Sequence, residues 1–266
     1  MNIKAIVLDL DRTLLKSDKT ISDFTLSVLE RCHEQGIKVI IASARPIRAI
    51  WEYDKLLNPD AIIWHNGAAV YIEGENKYKE RISIDDTKNI LSNIAKIYPE
   101  ATLSVEIDDV LYANFDVSVH WENTSAKQTD FTDLPEVASY KIIVGVSSME
   151  QIERIAYILP DEVYIEMSDK KLGLMMHKNA TKLKGIKTAL DYYSIELSDT
   201  VSFGDDYGDI DMLRACGIGV AVENALPIVK EAADYITETN DDDGVAKWID
   251  MHVLANIRQC EIYRVI

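Results

Sequence analysis

The chain has 266 residues, of which 47% are hydrophobic and 27% charged, a composition typical of a globular protein rather than a disordered one. Its 45 acidic and 28 basic side chains give a formal net charge of -17, which disfavours a partner bound through the phosphates of a nucleic acid or of an anionic membrane. The sequence shows no secretory leader and no apolar stretch long enough to span a bilayer, so we expect a cytoplasmic protein. We expect it to bind neither a nucleic acid nor a membrane. Three widely spaced cysteines, Cys32, Cys216 and Cys260, predict reduced thiols rather than a disulfide framework or a zinc site.

The first predicted strand, Ile3 to Leu8, is a short apolar run that ends in the sequence DLDRT. Its branched residues and its polar stop favour a buried strand of a parallel sheet. Side chains alternate along a strand, so Asp9 and Asp11 point the same way. Two neighbouring carboxylates must be held by a cation, share a proton or lie in water. Taken alone, the pair is as consistent with a solvated turn as with a metal site.

Helices and strands then alternate. The segment SDFTLSVLERCHEQG has helical spacing and stops at Gly36, and IKVIIASARP holds a second buried strand, Ile37 to Ala42, that ends at Ser43. A helix to about Leu57 and a third apolar run, DAIIWHNGAAVYI, follow. This order predicts an α/β fold with a doubly wound, Rossmann-like parallel sheet.

The pattern changes in the middle of the chain, where a helix followed by a hairpin occurs twice, as in TLSVEIDDVLYANF with its turn at Asp108 and Asp109. This predicts an inserted α/β domain that contains an antiparallel sheet. The expected division is a core domain from residues 1–79 and 181–266, with the insertion at 80–180. A last helix is predicted to start near Gly244, with the acidic run NDDDG as its solvated N-terminus.

After the insertion the first pattern resumes in DTVSFGDDYGDIDML, again a strand followed by carboxylates. In an open α/β sheet, ligands bind at the carboxyl ends of the strands. A common sheet would bring together the residues that follow the three strands, together with a nearby lysine candidate. These residues are Asp9, Asp11, Ser43, Lys182, Asp205 and Asp209.

Such a cluster suits phosphoryl transfer. Oxygen ligands from Asp9, Asp205 and Asp209 match the preference of Mg²⁺. Asp9 could attack phosphorus and form an aspartyl-phosphate, while Asp11 protonates the leaving alkoxide and later activates water. The role of Asp11 requires a pKa raised from about 3.9 toward neutrality, which crowding by like charge can supply.

Hydroxyl groups near the cluster are the expected partners of the substrate phosphate. We predict that Thr13, in the turn after the first strand, and Ser43 hold phosphate oxygens.

Four segments, DLDRTLL, IIASARP, ATKLKG and GDDYGDIDML, resemble the ordered motifs of haloacid dehalogenase-like phosphatases. The segments HNGA, VENA and DDDGVAKWI, and an insertion between the second and third motifs, are similar to the Cof-type, sugar-phosphatase-like branch with a type IIB cap domain. The resemblance covers essentially the whole chain.

The resemblance implies that Asp9 is the nucleophile and a Mg²⁺ ligand, and that Asp11 is the acid/base and binds the metal through its carbonyl. Asp205 and Asp209 would be further metal ligands. Of two nearby lysines, Lys182 and Lys184, the spacing to the helix glycine Gly185 in the family selects Lys182.

Three further positions match family residues near the phosphate. The resemblance gives Ser43 the hydroxyl position of the second motif, and it places Asn66 and Asn224 close to the phosphate.

Three residues depart from the branch. Arg12 and Ala44 stand where glycine is usual, and Gly208 where asparagine is usual. Glycine is common where the backbone approaches phosphate or has a positive φ, so an altered loop geometry is expected. Activity should persist, although weakened or shifted in metal dependence.

The function expected from these residues is Mg²⁺-dependent hydrolysis of small phosphorylated metabolites, with sugar phosphates as the expected class. Two alternatives remain open. A phosphomutase would share the aspartates and return the phosphoryl group to the substrate, and a phosphate-metabolite sensor would bind without turnover. No protein partner is evident from the sequence.

Overall fold

The computed structural model describes residues 3–121, 124–168 and 171–255. The chain divides into two compact units, one formed by Met1–Tyr78 with Thr181–Ile266 and the other by Lys79–Ala180. Cys32 and Cys216 are buried and free, while Cys260 lies outside the described residues.

Eight α-helices, numbered along the chain, lie within this described part. They are α1 (Asp23–Glu34), α2 (Trp51–Leu57), α3 (Ile84–Ile97), α4 (Met149–Ala156), α5 (Lys182–Tyr193), α6 (Ile210–Ala215), α7 (Pro227–Ala232) and α8 (Gly244–Ile249). Four of them begin after a Ser or Thr whose hydroxyl accepts a hydrogen bond from the backbone N–H three residues later. This bond satisfies one of the N–H groups that have no partner within the first turn of a helix. No helix among the described residues has the length and apolarity that crossing a membrane requires.

The first unit is built on one large sheet. Its strands, numbered along the chain, are β1 (Ala5–Leu8), β2 (Lys38–Ala42), β3 (Ala61–Trp64), β4 (Ala69–Ile72), β5 (Glu75–Lys79), β12 (Thr200–Gly204), β13 (Ile218–Val222) and β14 (Tyr235–Thr237). Their spatial order is β14-β13-β12-β1-β2-β3-β4-β5. The strands from β14 to β3 are parallel, and β3 pairs with β4 in the antiparallel sense. The predicted parallel sheet is confirmed, with an antiparallel extension at one edge.

The turn between β3 and β4 explains that extension. The run DAIIWHNGAAVYI forms two strands because three successive residues, His65, Asn66 and Gly67, have φ of 48°, 55° and 96°. A positive φ at consecutive positions reverses the chain, so β4 runs back alongside β3.

Helices cover both faces of this sheet. On one face, Ile186 and Leu190 of α5 pack against Ala5 and Val7 of β1. On the other, Trp248 of α8 contacts the ring of Phe203 in β12, with ring centroids 5.5 Å apart. Phe203 lies beside Leu8 in the register, and Leu8 points away from Val7 because side chains alternate along a strand. The doubly wound α/β class is therefore confirmed.

The second unit has its own sheet and core. Its strands are β6 (Leu103–Ile107), β7 (Val110–Ala113), β8 (Lys127–Gln128), β9 (Lys141–Gly145), β10 (Val163–Ser168) and β11 (Leu172–His177), in the order β10-β11-β9-β6-β7-β8. All neighbours are antiparallel except β7 and β8. The hairpin β6-β7 turns at Asp108 and Asp109 as expected, both with a positive φ. Helices α3 and α4 contribute Ile94 and Ile155 to its apolar core.

A close contact between α5 and β3 generates the first prediction. A Cβ added at Gly185 would lie 2.5 Å from Cγ2 of Ile63. We expect Gly185→Ala to destabilise the protein by about 1–2 kcal/mol, because overpacking outweighs the better helix propensity of alanine. Thermal unfolding measures the loss.

A double-mutant cycle isolates the contact. Ile63→Ala removes the methyl group that Gly185→Ala would strike, so the second substitution should cost much less in that background. Additive effects of the two substitutions would contradict the contact.

Candidate active site

Three neighbouring strands deliver the predicted residues to one end of the sheet. Asp9 follows β1, Ser43 follows β2 and Asp205 follows β12, and β1 lies between the other two strands. Asp9, Asp205 and Asp209 are 5%, 4% and 1% exposed. Each offers a carboxylate oxygen within 4.8 Å of the others. The structure therefore brings together three of the four predicted carboxylates.

We call Asp9, Asp205 and Asp209 the carboxylate cluster. Lys182 provides positive charge beside it. Its Nζ donates to Oδ1 of Asp9 at 2.7 Å and to Oδ1 of Asp209 at 2.6 Å. Lys182 is buried, whereas Lys184, two residues on, is exposed. Of the two candidate lysines, Lys182 is the one in the cluster.

The turn after β3 positions the start of α5 and hence Lys182. Thr181 caps the helix by accepting a hydrogen bond from the N–H of Lys184. A Cβ at Gly67 would lie 1.9 Å from the carbonyl oxygen of Thr181, and Gly67 has a φ of 96°. Only glycine fits this close approach with that backbone, which gives the segment HNGA a structural role.

Asp209 has both carboxylate oxygens engaged within the protein. Oδ1 accepts from Lys182, and Oδ2 accepts from the N–H groups of Asp205 and Asp206 at 2.9 and 3.1 Å. A Cβ at Gly204 would lie 2.4 Å from Cβ of Asp209, so glycine is needed there. These contacts make Asp209 the support of Lys182 and of the turn that carries Asp205. Its ligation of a metal stays a prediction.

The cluster carries more negative than positive charge. Burial raises the pKa of Asp9 and of Asp205 well above the ordinary range, and repulsion from the neighbouring carboxylates adds to the rise. Burial opposes the charge of Lys182, yet Asp209 and Asp9 raise the pKa of its ammonium. Buried oxygen donors with excess negative charge fit a hard divalent cation, so these residues could hold a metal.

Asp11 lies in the opposite electrostatic environment. Arg45 donates to it from Nε at 2.6 Å and from Nη2 at 2.8 Å, and Lys19 donates from Nζ at 2.7 Å. Burial alone would raise the pKa of Asp11, but these two cations outweigh it and lower the pKa to about 2. The expected rise toward neutrality is wrong for this state, because cations rather than carboxylates surround the group.

Sequence reasoning did not assign Arg45 or Lys19. Arg45 stands two residues after Ser43 in IIASARP, and its position just past the end of a strand was the sequence signal that could have placed it near the site. No spacing signal identified Lys19, which reaches Asp11 from a turn with a φ of 68° at Lys19 itself.

The acidic run 240–243 holds this turn. The N–H and Oγ of Ser17 donate to the two carboxylate oxygens of Asp241, both at 2.7 Å, and Nζ of Lys16 donates to the carbonyl of Asp241 at 2.9 Å. The helix α8 does begin at Gly244 as predicted. Its acidic N-terminus is a binding surface for the 16–20 turn and not only a solvated cap.

The predicted phosphate-binding residues differ in their surroundings. Oγ1 of Thr13 donates to Oδ1 of Asp205 at 3.1 Å. Ser43 and Asn66 are buried and adjacent, since the N–H of Asn66 donates to the carbonyl of Ser43 at 3.0 Å. Thr13 therefore contacts the carboxylate cluster directly, whereas Ser43 and Asn66 lie together beyond the ends of β2 and β3.

Asn224 is engaged by the backbone on both sides of its amide. Its Nδ2 donates to the carbonyl of Arg12 at 2.7 Å, and its Oδ1 accepts from the N–H of Asn240 at 2.9 Å. These contacts support the turn after β1. A contact of Asn224 with phosphate stays a prediction.

The sequence matches the haloacid dehalogenase-like hydrolases over residues 6–249, which is most of the chain. The chain belongs to this family. The Cof-type resemblance found from the motifs is thus confirmed, and this hydrolase is a phosphoric monoester hydrolase.

Similar proteins carry related names. Two 5-amino-6-(5-phospho-D-ribitylamino)uracil phosphatases of Bacillus subtilis are 29% and 26% identical to the hydrolase, covering 92% and 93% of it and 95% and 97% of their own chains. A solved sugar phosphatase of subclass IIB of the superfamily is 27% identical with a TM-score of 0.85, covering 93% of this chain and 98% of its own.

Repulsion within the carboxylate cluster generates the second prediction. Asp205→Asn removes one of three crowded charges, so we expect the metal-free protein to melt about 3 °C or more higher. A divalent metal ion that binds the cluster should raise the melting temperature of the wild type and have little effect on the variant. Asp211→Asn, an equal charge change at an exposed position of α6, is the control. A lower melting temperature for Asp205→Asn would contradict the repulsion.

The hold of Asp241 on the 16–20 turn generates the third prediction. We expect Asp241→Ala to speed hydrogen exchange at the Ser17 amide by about tenfold, because that N–H loses its acceptor. Mass spectrometry of the deuterated protein measures the rate. The control is Asp242→Ala, whose carboxylate accepts from Thr239 instead. Equal exchange in both variants would show that Asp241 does not restrain the turn.

Proposed function

We propose that this hydrolase is a Mg²⁺-dependent phosphatase of small phosphorylated metabolites that works through an aspartyl-phosphate on Asp9. The observation that carries the proposal is the environment of Asp9. Its carboxylate is buried at the end of the central strand, bound to Lys182 at 2.7 Å, and clustered with two further carboxylates.

The metal would be held by Asp9, Asp205 and the backbone carbonyl of Asp11. When bound, Mg²⁺ would neutralise the carboxylates and the incoming phosphate. Asp209, with both oxygens engaged, would hold Lys182 and the Asp205 turn in place.

Asp9 would act as the nucleophile through Oδ2, because Lys182 holds Oδ1. The Oδ2–P bond would form while the ester P–O bond breaks, and the electron pair of that bond would leave with the alkoxide. Lys182 would balance the charge of Asp9 and of the transferred phosphate oxygens. Thr13, Ser43 and Asn66 would contact those oxygens.

Asp11 would serve both proton transfers. In its ionised form, favoured by Arg45 and Lys19, it suits the second step, where it takes a proton from the water that attacks the aspartyl-phosphate. The first step needs a proton on Asp11 and hence release from the two cations. Binding of the substrate anion near Arg45 and Lys19 would compete with Asp11 for them.

The proposed substrates are alkyl phosphate monoesters, in which a sugar or polyol carries the phosphate. The solved sugar phosphatase and the two ribityl-phosphate phosphatases of Bacillus subtilis support this class. Hexose phosphates and 5-amino-6-(5-phospho-D-ribitylamino)uracil are therefore the first substrates to test.

The fourth prediction tests the nucleophile. Release of inorganic phosphate from such a panel should require Mg²⁺ and should fall by at least about 10³-fold in Asp9→Asn, because the attacking oxygen is lost. Release that survives Asp9→Asn would exclude the aspartyl-phosphate route. An isomeric sugar phosphate without free phosphate would indicate a mutase instead.

A matched pair of lysine variants tests the cluster. Lys182→Met should abolish release, whereas Lys184→Met, two residues away and exposed, should keep most of it. Similar losses in both variants would point to damage of α5 rather than to the loss of a charge beside Asp9.

A further inference from the structure

Arg12 adopts a backbone conformation that disfavours its side chain. It has φ 61° and ψ 8°, in the left-handed region where glycine is favoured. The amide of Asn224 fixes this conformation by donating to the Arg12 carbonyl at 2.7 Å. The turn, held by Asn224, therefore sets the backbone conformation of Arg12.

The guanidinium of Arg12 faces the carboxylate cluster. Its Nε lies 3.8 Å from Oδ2 of Asp205, whose side chain is 5% exposed, while the Arg12 side chain is 50% exposed. The other oxygen of Asp205 accepts from Thr13. Both oxygens of Asp205 thus face a neighbour within the same turn.

Arg12 balances a charge that Lys182 does not contact. Lys182 donates to Asp9 and Asp209, and in the described part of the chain the ion pair of Asp205 is with Arg12. The guanidinium of Arg12 therefore lies beside the Asp205 carboxylate, at the oxygen that a metal ion would approach.

We infer that Arg12 competes with the metal for Asp205 and so lowers the affinity of this hydrolase for Mg²⁺. The inference rests on the metal site of the proposed function. A guanidinium beside Oδ2 repels an approaching cation and must withdraw toward solvent when that oxygen becomes a ligand. The half-exposed side chain of Arg12 has room to withdraw. The affinity for Mg²⁺ is then reduced by the free energy of the lost contact between Arg12 and Asp205.

Isothermal titration of the full-length protein with MgCl₂ alone tests the inference. Arg12→Asn removes the charge and keeps a residue that tolerates a positive φ, and Arg12→Gly removes both the charge and the strain. We expect the Kd for Mg²⁺ to fall by about fivefold in both variants, the upper end of what a partly exposed charge contact contributes. Arg12→Lys keeps the charge and should stay close to the wild type.

A matched control removes the same charge elsewhere. Arg154→Asn, an exposed residue of α4, should leave the Kd unchanged. Thermal unfolding of each metal-free variant checks that it is folded. A Kd within twofold of the wild type in both Arg12→Asn and Arg12→Gly overturns the inference, as does an equal gain in Arg12→Lys or in Arg154→Asn.

The test is separate from that of the proposed function. No substrate is present in the titration, so a failure here leaves Asp9-dependent phosphate release standing. If neither the wild type nor the charge-removing variants bind Mg²⁺, the inference is overturned together with the metal site, while metal-independent phosphate release would remain measurable.

Discussion

The buried ammonium of Lys182 is the interaction on which the site depends. It joins Asp9, 173 residues earlier in the chain, to Asp209, 27 residues later. A buried lysine is costly unless it is paired, and crowded carboxylates are costly unless a cation lies among them, so each group makes the other tolerable. Much of the local architecture serves this contact. Gly67 and Gly185 let α5 approach the sheet closely, and Gly204 lets Asp209 approach β12.

Two aspartates separated by a single residue occupy opposite electrostatic environments. Burial and neighbouring carboxylates raise the pKa of Asp9, whereas Arg45 and Lys19 lower that of Asp11. Environments that shift the pKa values of two carboxyl groups in opposite directions are typical of sites in which the two groups have different tasks. The two environments differ because Asp9 directly follows the extended strand β1, while Asp11 lies in the turn beyond it and meets residues from other segments.

Much of this arrangement was predictable from the sequence. Asp9, Ser43 and Asp205 each follow a short apolar run, and parallel strands bring such positions to one edge of a sheet. The partners of Asp11 were not predictable, because they depend on the course of two turns rather than on any periodicity. The same holds for Asp209, whose engagement with the turn at 205–206 follows from a close packing that spacing does not encode. The strand β4 was not predicted as separate from β3, because His65 and Asn66 adopt a positive φ that non-glycine residues rarely do.

The position of β1 in the middle of the sheet has a consequence for synthesis of the chain on the ribosome. Its neighbour β12 begins at Thr200, and the 16–20 turn that follows is held by Asp241, so the first strand is synthesised long before the residues that pair with it and support that turn. The unit Lys79–Ala180 has its own sheet and core, and its residues are all made before β12. During translation, folding of this unit can therefore precede completion of the site, and Asp9, although it lies near the start of the chain, gains Lys182, Asp205 and Asp209 only late in elongation.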